Sequence, residues 1–133
     1  MPNELDDEIR HSKVIVRSGR YAYLKLAEMP DPFRFFFVSQ DEDEITAIAE
    51  EKTIAEVDYL KVEKWFKAFE IRCATPFLVK GFLAKIASAI AEQGLNILLV
   101  STFSKDYAFI REEDTEIAIK ALRNVGFSVI ETE

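Results

Sequence analysis

The stretch from Gly81 to Gly126 constrains the fold more than any other part of the chain, because it contains two amphipathic segments that each end at a glycine. Apolar residues between Gly81 and Gln93 recur at spacings of three and four, which predicts a helix with one apolar face. Gly94 then offers the left-handed conformation that commonly ends a helix. The second segment begins at the acidic residues 112–114, where negative charge complements a helix dipole, and predicts a helix that stops at Gly126.

Extended segments surround these predicted helices. Residues 96–103 form a β-branched and apolar run typical of a buried strand, residues 107–110 resume the extended pattern after a turn at 104–106, and residues 127–130 give a last strand. Upstream, apolar and polar residues alternate over 69–73, which indicates a strand with one buried face. The order β-α-β-β-α-β predicts an α+β, ferredoxin-like fold with antiparallel strands and helices packed on one face.

The front of the chain is predicted to contain a hairpin. Residues 35–39 and 45–49 have the pattern of strands, and the densest acidic cluster, 41–44, falls between them. A calcium loop of the EF-hand type would need glycine at its sixth position and glutamate at its twelfth, where this chain has Thr46 and Lys52. A solvated hairpin tip therefore explains the acidic cluster better than a cation site does.

Composition narrows the class of protein. The chain has 133 residues, of which 49% are hydrophobic, with only four glycines and four prolines, so a packed core is expected. Its formal charge of -7 disfavours nucleic-acid binding, because phosphates attract surplus lysine and arginine. No apolar run reaches the ~20 residues of a membrane helix, no export signal is evident, and a single cysteine excludes an internal disulfide. We therefore expect a cytoplasmic protein without a cofactor.

The sequence offers no catalytic constellation. Its one histidine, His11, falls in a polar N-terminal segment that we expect to be frayed, where a general base would have no fixed partner. Cys73 is predicted to face the core, which favours packing over a nucleophilic role. Gly81 and Gly94 are too far apart for a phosphate-binding loop. We therefore predict a protein that is not an enzyme and has neither catalytic nor metal-binding residues.

Aromatic residues are abundant in the front half. An aromatic cage for a cationic ligand and ordinary core packing could both account for them, and core packing is the more common use. The residues concerned are Tyr21, Tyr23, Phe33, Phe35, Phe36, Phe37, Trp65, Phe66 and Phe69.

The hairpin sequence VSTFSKDYAFI, from Val100 to Ile110, resembles the CASTOR-type ACT domain. The resemblance includes the GFLA run that begins at Gly81 and the GF pair at Gly126, and in the front half it includes residues 18–26 and 43–48. Relatives of this type occur in the animal cytosolic arginine sensor and in the regulatory part of aspartate kinases. The resemblance implies two ACT-like halves, at residues 12–66 and 67–133.

Two hairpin positions depart from the family pattern. Phe103 stands where the family commonly has tyrosine, and Lys105 stands where it commonly has threonine. The lysine changes both charge and size beside Asp106. A second cation there would compete with a guanidinium for this acid, which argues against arginine as a ligand.

The resemblance also implies a ligand site. ACT effectors usually lie between two such units, held by the loop from the first strand into the first helix, here residues 75–81. Exposed amides at a helix start favour a carboxylate, and Asp106 could accept hydrogen bonds from an ammonium group. Each candidate also has an ordinary structural role in a turn or a strand. The candidate ligand-binding residues are Thr75, Pro76, Lys80, Gly81, Phe82, Ser101, Thr102, Phe103 and Asp106.

These observations predict a non-catalytic regulatory protein that binds a small amino acid at the junction of its halves or at a homodimer interface. The alternative is an interaction module that forms homodimers or docks to a regulated enzyme without a small ligand. Open edge strands would support that alternative, because they offer unpaired backbone groups.

Overall fold

The structure, a computed structural model, describes residues 4–73 and 80–132. In these ranges the secondary-structure elements follow one another as α1 (Glu4–His11), β1 (Lys13–Val16), β2 (Tyr21–Leu26), β3 (Phe37–Gln40), β4 (Ile45–Glu50), α2 (Glu51–Ile54), β5 (Lys61–Arg72), α3 (Phe82–Ala91), β6 (Leu98–Ser101), β7 (Asp106–Arg111), α4 (Thr115–Asn124) and β8 (Val129–Glu131). Short 3-10 helices occupy Pro32–Arg34 and Glu112–Asp114.

The chain forms two compact units. Unit 1 joins residues 1–18 to residues 67–133, and unit 2 consists of residues 19–66. Residues 12–18, which we expected in the front half, belong instead to unit 1. The reason is long-range pairing, because β1 hydrogen-bonds with β5 and with β8. That unit 2 is an ACT-like half stays a prediction.

The described strands of unit 1 follow the order β6-β7-β5-β1-β8. The first residues of β5 belong to unit 2 and its last residues belong to unit 1. Val14 of β1 lies opposite Ile71 of β5 in an antiparallel register and opposite Val129 of β8 in a parallel one. The α+β, ferredoxin-like fold class is confirmed. The parallel β1–β8 pair is an exception to the expected antiparallel sheet.

The helices of unit 1 share one core with one face of these strands. Helices α3 and α4 have the predicted amphipathic character and bury Ile86, Ile90 and Leu122. The remaining buried members of the core are Ile9, Val14, Val16, Phe69, Ile71, Cys73, Phe82, Ala89, Ala108, Ile110, Ala118, Ile119, Phe127 and Val129. Since α1, α3 and α4 all contribute to it, the helices pack on one face of the strands, as predicted.

Three local predictions were wrong. The described part of the N-terminal segment, from Glu4 onward, is not frayed, because α1 buries Ile9 in the core of unit 1. Strand β5 has two buried faces, since Ala68 and Glu70 are buried as well as Phe69 and Ile71. Asp106 is the first residue of β7 and not part of the turn.

Unit 2 has the strand order β3-β4-β2-β5. The predicted front hairpin is confirmed, because β3 and β4 pair antiparallel on either side of residues 41–44. Tyr21 and Phe36 pack edge to face at 5.3 Å, and Tyr23 packs against Phe66 at 5.4 Å. The preference for core packing fails at Phe33, which is 96% exposed.

The longest helices of the described ranges, α3 and α4, have ten residues each. Within those ranges, no helix combines the length and the apolar character needed to cross a lipid bilayer.

Candidate functional site

The start of α3 carries part of the predicted site. Gly81 precedes the helix with φ of 85°, a left-handed conformation that suits glycine, and no side chain caps the helix start within the described residues. The Gly81 carbonyl accepts the first helical hydrogen bond, from the Lys85 N–H at 2.9 Å. A Cβ at Gly81 would lie 3.5 Å from Leu5 Cδ2, so α1 covers one side of this position. Amides at such a helix start favour a negatively charged group.

The other residues predicted around this helix start differ in their placement. Thr75 and Pro76 lie outside the described residues. Lys80 is exposed, whereas Phe82 is 4% exposed and packs edge to face against Phe127 at 5.6 Å. Because the Phe82 side chain belongs to the core, only its backbone could contact a ligand.

Asp106 is a buried carboxylate and not a solvent-facing turn acid. Its exposed fraction is 7%, and Ser101 lies directly opposite it in the β6–β7 register. The Ser101 hydroxyl donates a hydrogen bond of 2.5 Å to Asp106 Oδ1. Among the described residues, Asp106 forms no ion pair. Two of the candidate residues, Ser101 and Asp106, therefore contact each other across the β6–β7 hairpin.

The remaining hairpin candidates have different surroundings. Thr102 closes the turn, because its N–H donates to the Lys105 carbonyl at 2.8 Å and its hydroxyl oxygen accepts from the Lys105 N–H at 3.2 Å. Phe103 is 84% exposed at the tip. Thr102 thus has a structural role here, and Phe103 presents an apolar ring to the surface.

The sequence reasoning missed a second buried carboxylate. The Glu70 side chain is 6% exposed, and Arg72 Nε donates to Glu70 Oε2 at 2.6 Å. Arg17 Nη1 lies 3.5 Å from Oε1, and Lys105 Nζ lies 3.8 Å from Oε2. Glu70 was taken for a solvent-facing strand residue, although Arg72 two positions further along the same strand face was a signal for an ion pair.

Lys105 therefore approaches Glu70, whereas we expected it to compete at Asp106. The sequence argument against arginine depended on that competition, and the observed Lys105–Glu70 contact removes its basis.

Cys73 faces the core of unit 1, as predicted. Its thiol donates to Glu8 Oε1 of α1 at 3.1 Å, so α1 contacts the end of β5. His11 is exposed and its Nδ1 lies 2.7 Å from the Asp7 carbonyl oxygen. In residues 4–73 and 80–132, no group of three or more His, Cys, Asp or Glu side chains has a metal-binding arrangement.

The acidic tip of the front hairpin is organised by its own backbone. Asp41 Oδ1 accepts hydrogen bonds from the N–H groups of Asp43 at 2.8 Å and Glu44 at 2.9 Å. These two bonds favour the charged carboxylate and lower the pKa of Asp41. The tip is thus an ordinary turn stabilised by an aspartate.

Comparison with known proteins points to one family. The family model described as ACT domain matches residues 61–124, and no curated protein matches the sequence. Protein Atu0741 from Agrobacterium tumefaciens has a similar structure, with a TM-score of 0.79, 21% identity, and coverage of 92% of this chain and 94% of that one. Protein VC0802 from Vibrio cholerae, described as of unknown function and a possible transport protein, gives a TM-score of 0.78 at 14% identity over 90% and 93% of the two chains.

A regulatory protein also shares the fold. The ligand-free regulatory subunit of aspartate kinase from Thermus thermophilus gives a TM-score of 0.60 at 15% identity, covering 89% of this chain and 97% of that one. The matched residues 61–124 include β5, α3 and the β6–β7 hairpin, and therefore Gly81, Ser101 and Asp106. Residues 61–124 of this chain thus match the ACT domain family model, and the three solved structures share the fold.

Proposed function

We propose that the chain is a non-catalytic regulatory protein of the CASTOR type, which binds a small amino acid in unit 1 and acts in the cytoplasm. The observation that supports this most is the environment of Asp106, a carboxylate that is 7% exposed and accepts a hydrogen bond from a neutral hydroxyl. Burying a carboxylate is unfavourable unless hydrogen bonds or an opposite charge compensate it. A ligand ammonium group would supply that opposite charge.

The start of α3 supplies the complementary half of the proposed site. An α-amino acid carries a carboxylate as well as an ammonium group, and the amides that follow Gly81 have no side-chain cap in the described part of the chain. The positive end of the helix dipole favours the ligand carboxylate there. The two ends of a zwitterion would thus have separate partners in unit 1.

Regulation would follow from a difference in affinity. If the amino acid binds one arrangement of the chain better than another, binding shifts the population towards that arrangement. The size of the effect is limited by the ratio of the two affinities. Binding would then regulate either the formation of a homodimer or the activity of an enzyme to which the chain docks.

A thermal-shift panel of the twenty amino acids tests this proposal. We expect at least one compound to raise the melting temperature of the native chain, because a ligand at about 100 times its Kd stabilises by about 2.7 kcal/mol. Asp106→Asn should lose most of that shift, measured relative to its own ligand-free melting temperature. Asp58→Asn, at an exposed position of unit 2, is the matched control and should keep it. No shift with any amino acid at millimolar concentration would refute the proposal.

Exposed apolar side chains at the strands of unit 1 favour a second candidate, the interaction module without a small ligand. Leu99 of β6 is 39% exposed, Ile130 of β8 is 45% exposed, and Phe103 of the hairpin is 84% exposed. Light scattering distinguishes the candidates: a stable dimer whose mass is unchanged by amino acids supports the module, and a monomer at all concentrations counts against it.

A further inference from the structure

Unit 1 contains a second charged site, which the proposed amino-acid site does not use. We define the Glu70 cluster as Glu70, Arg17, Arg72, Lys105 and Tyr107. The Tyr107 hydroxyl lies 3.5 Å from Glu70 Oε1, the same oxygen that Arg17 approaches. Arg72 Nε and Lys105 Nζ both approach Oε2, at 2.6 Å and 3.8 Å.

The cluster holds more positive than negative charge. In the described part of the chain, Arg72 and Lys105 each have Glu70 as their only ion-pair partner, and both approach one oxygen of that carboxylate. A single carboxylate neutralises one cation, so positive charge remains and the two cations repel each other at short range. An additional anion would relieve this repulsion.

Solvent reaches the cations but not the carboxylate. The side chains of Arg72 and Lys105 are 55% and 40% exposed, whereas the Glu70 side chain is 6% exposed. The buried Glu70 carboxylate therefore orients the two cations and leaves part of each cation accessible to solvent. A guanidinium held in this way is suited to carboxylate and phosphate groups, which it binds with paired hydrogen bonds.

The cluster lies on the face of the strands opposite to Asp106. Phe69 and Ile71, on either side of Glu70, and Ala108, two residues after Asp106, all belong to the core beneath the helices. Side chains alternate along a strand, so Asp106 shares that helix-covered face whereas Glu70 and Tyr107 occupy the other.

We propose that the Glu70 cluster binds a small oxyanion, a molecule that carries a carboxylate or a phosphate group, through Arg72 and Lys105. This proposal does not depend on the amino-acid site, because the two sites use different residues on different faces of unit 1. A chain with both sites would respond to an anionic effector as well as to an amino acid.

Isothermal titration of the full chain with inorganic phosphate and, separately, with citrate tests the proposal at constant ionic strength. We expect saturable binding of at least one probe, and its affinity should fall at least about tenfold in Arg72→Gln/Lys105→Gln, because each lost charged hydrogen bond or ion pair contributes about that factor. The control Lys85→Gln/Lys120→Gln removes the same charge from exposed positions of α3 and α4 and should bind as the native chain does.

Further variants separate the possible outcomes. Glu70→Gln removes the competing carboxylate and should tighten anion binding, and Asp106→Asn should leave anion binding unchanged. A preference for phosphate or for citrate identifies the chemical source of the oxyanion. Absence of saturable binding to both probes, or an equal loss of affinity in the control, would overturn the proposal. If Glu70→Gln does not fold, the affinities of Arg72→Gln/Lys105→Gln and of the control Lys85→Gln/Lys120→Gln still test the proposal.

Discussion

The two buried carboxylates of unit 1 are held in opposite ways. Glu70 has three cations within ion-pair distance, with Arg72 closest at 2.6 Å. Asp106 accepts a 2.5 Å hydrogen bond from a neutral hydroxyl and has no ion-pair partner among the described residues. Glu70 therefore has surplus positive charge around it, whereas Asp106 has no positive partner in residues 4–73 and 80–132. This difference is the basis of the two proposals, an anion at the Glu70 cluster and an ammonium group at Asp106.

The same difference predicts that the two carboxylates contribute unequally to stability. A buried ion pair that loses its partner costs about 3–5 kcal/mol, whereas a carboxylate bound by a neutral donor depends on a single weaker interaction. The Glu70 cluster should thus contribute more to stability than the Ser101–Asp106 pair does.

The largest expected effect comes from removing the two guanidinium groups that contact Glu70. Arg17→Ala/Arg72→Ala leaves the buried Glu70 with Lys105 at 3.8 Å as its remaining ion-pair partner in the described residues. We expect a loss of about 3 kcal/mol in the free energy of unfolding, measured by urea denaturation at neutral pH. Lys85→Ala/Lys120→Ala, with the same change in charge, should stay within about 0.5 kcal/mol of the native chain. A loss as small as that of the control would show that the cations do not stabilise Glu70.

The next effect compares the two carboxylates directly. Glu70→Gln removes the attraction for three cations and leaves them to repel one another, so we expect a loss of about 2 kcal/mol. Asp106→Asn keeps an oxygen that can accept the Ser101 hydrogen bond, so its loss should be below about 1 kcal/mol. The measurement is urea denaturation of both variants under one condition. Equal losses would contradict the comparison.

A smaller effect than that of Glu70→Gln is expected at Ser101. Ser101→Ala removes the hydroxyl that donates to Asp106, and an unsatisfied buried acceptor costs about 1–2 kcal/mol. Ser101→Thr restores a hydroxyl and should recover part of the stability. If the alanine variant is as stable as the native chain, Asp106 is satisfied by another donor.

The smallest effect concerns an exposed pair in unit 2, which sharpens the contrast with the buried carboxylates. Arg20 Nη2 donates to Glu51 Oε2 at 2.6 Å, and this hydrogen bond lowers the pKa of Glu51. Because the folded-state pKa lies below the unfolded value, the pair's contribution to stability is present above the unfolded pKa and is lost as the pH falls through the folded pKa.

Carboxylate resonances followed by NMR give the corresponding measurement. Arg20→Gln should raise the titration midpoint of Glu51, whereas Arg34→Gln, which removes the exposed Arg34–Glu56 pair, should leave it unchanged. An unchanged Glu51 midpoint in Arg20→Gln would show that the pair does not form in solution.

The spacing of apolar residues predicted the helices and strands in which buried residues recur at regular intervals along the chain. The spacing of Ile86 and Ile90 predicts the apolar face of α3, and the same reasoning holds for Ala118 and Leu122 in α4. The front hairpin followed from turn residues between two apolar runs. Ser101 and Asp106, both named as candidates from the sequence, lie close together along the chain and are opposite each other in one hairpin, and their role in binding a ligand stays a prediction.

Elements that depend on distant partners were not predictable in this way. The polar segment of α1 looks unstructured in isolation, and its order comes from burying Ile9 against a core built largely from residues beyond position 66. The position of β1 between β5 and β8 depends on hydrogen bonds to two strands far apart in sequence. Both cases depend on contacts between residues that are far apart in sequence. The entropy lost in closing such long loops is offset only when the folded core forms.

The periodicity and turn chemistry of the residues were thus sufficient for the α+β class, the two main helices and the hairpin that carries Asp106, because these depend on interactions between neighbours in sequence. Only the tertiary structure determined that Asp106 is buried beside the Ser101 hydroxyl. It also determined that Glu70 lies within ion-pair distance of Arg17, Arg72 and Lys105. Burial and ion pairing depend on which strands become neighbours, and that is a property of the assembled core.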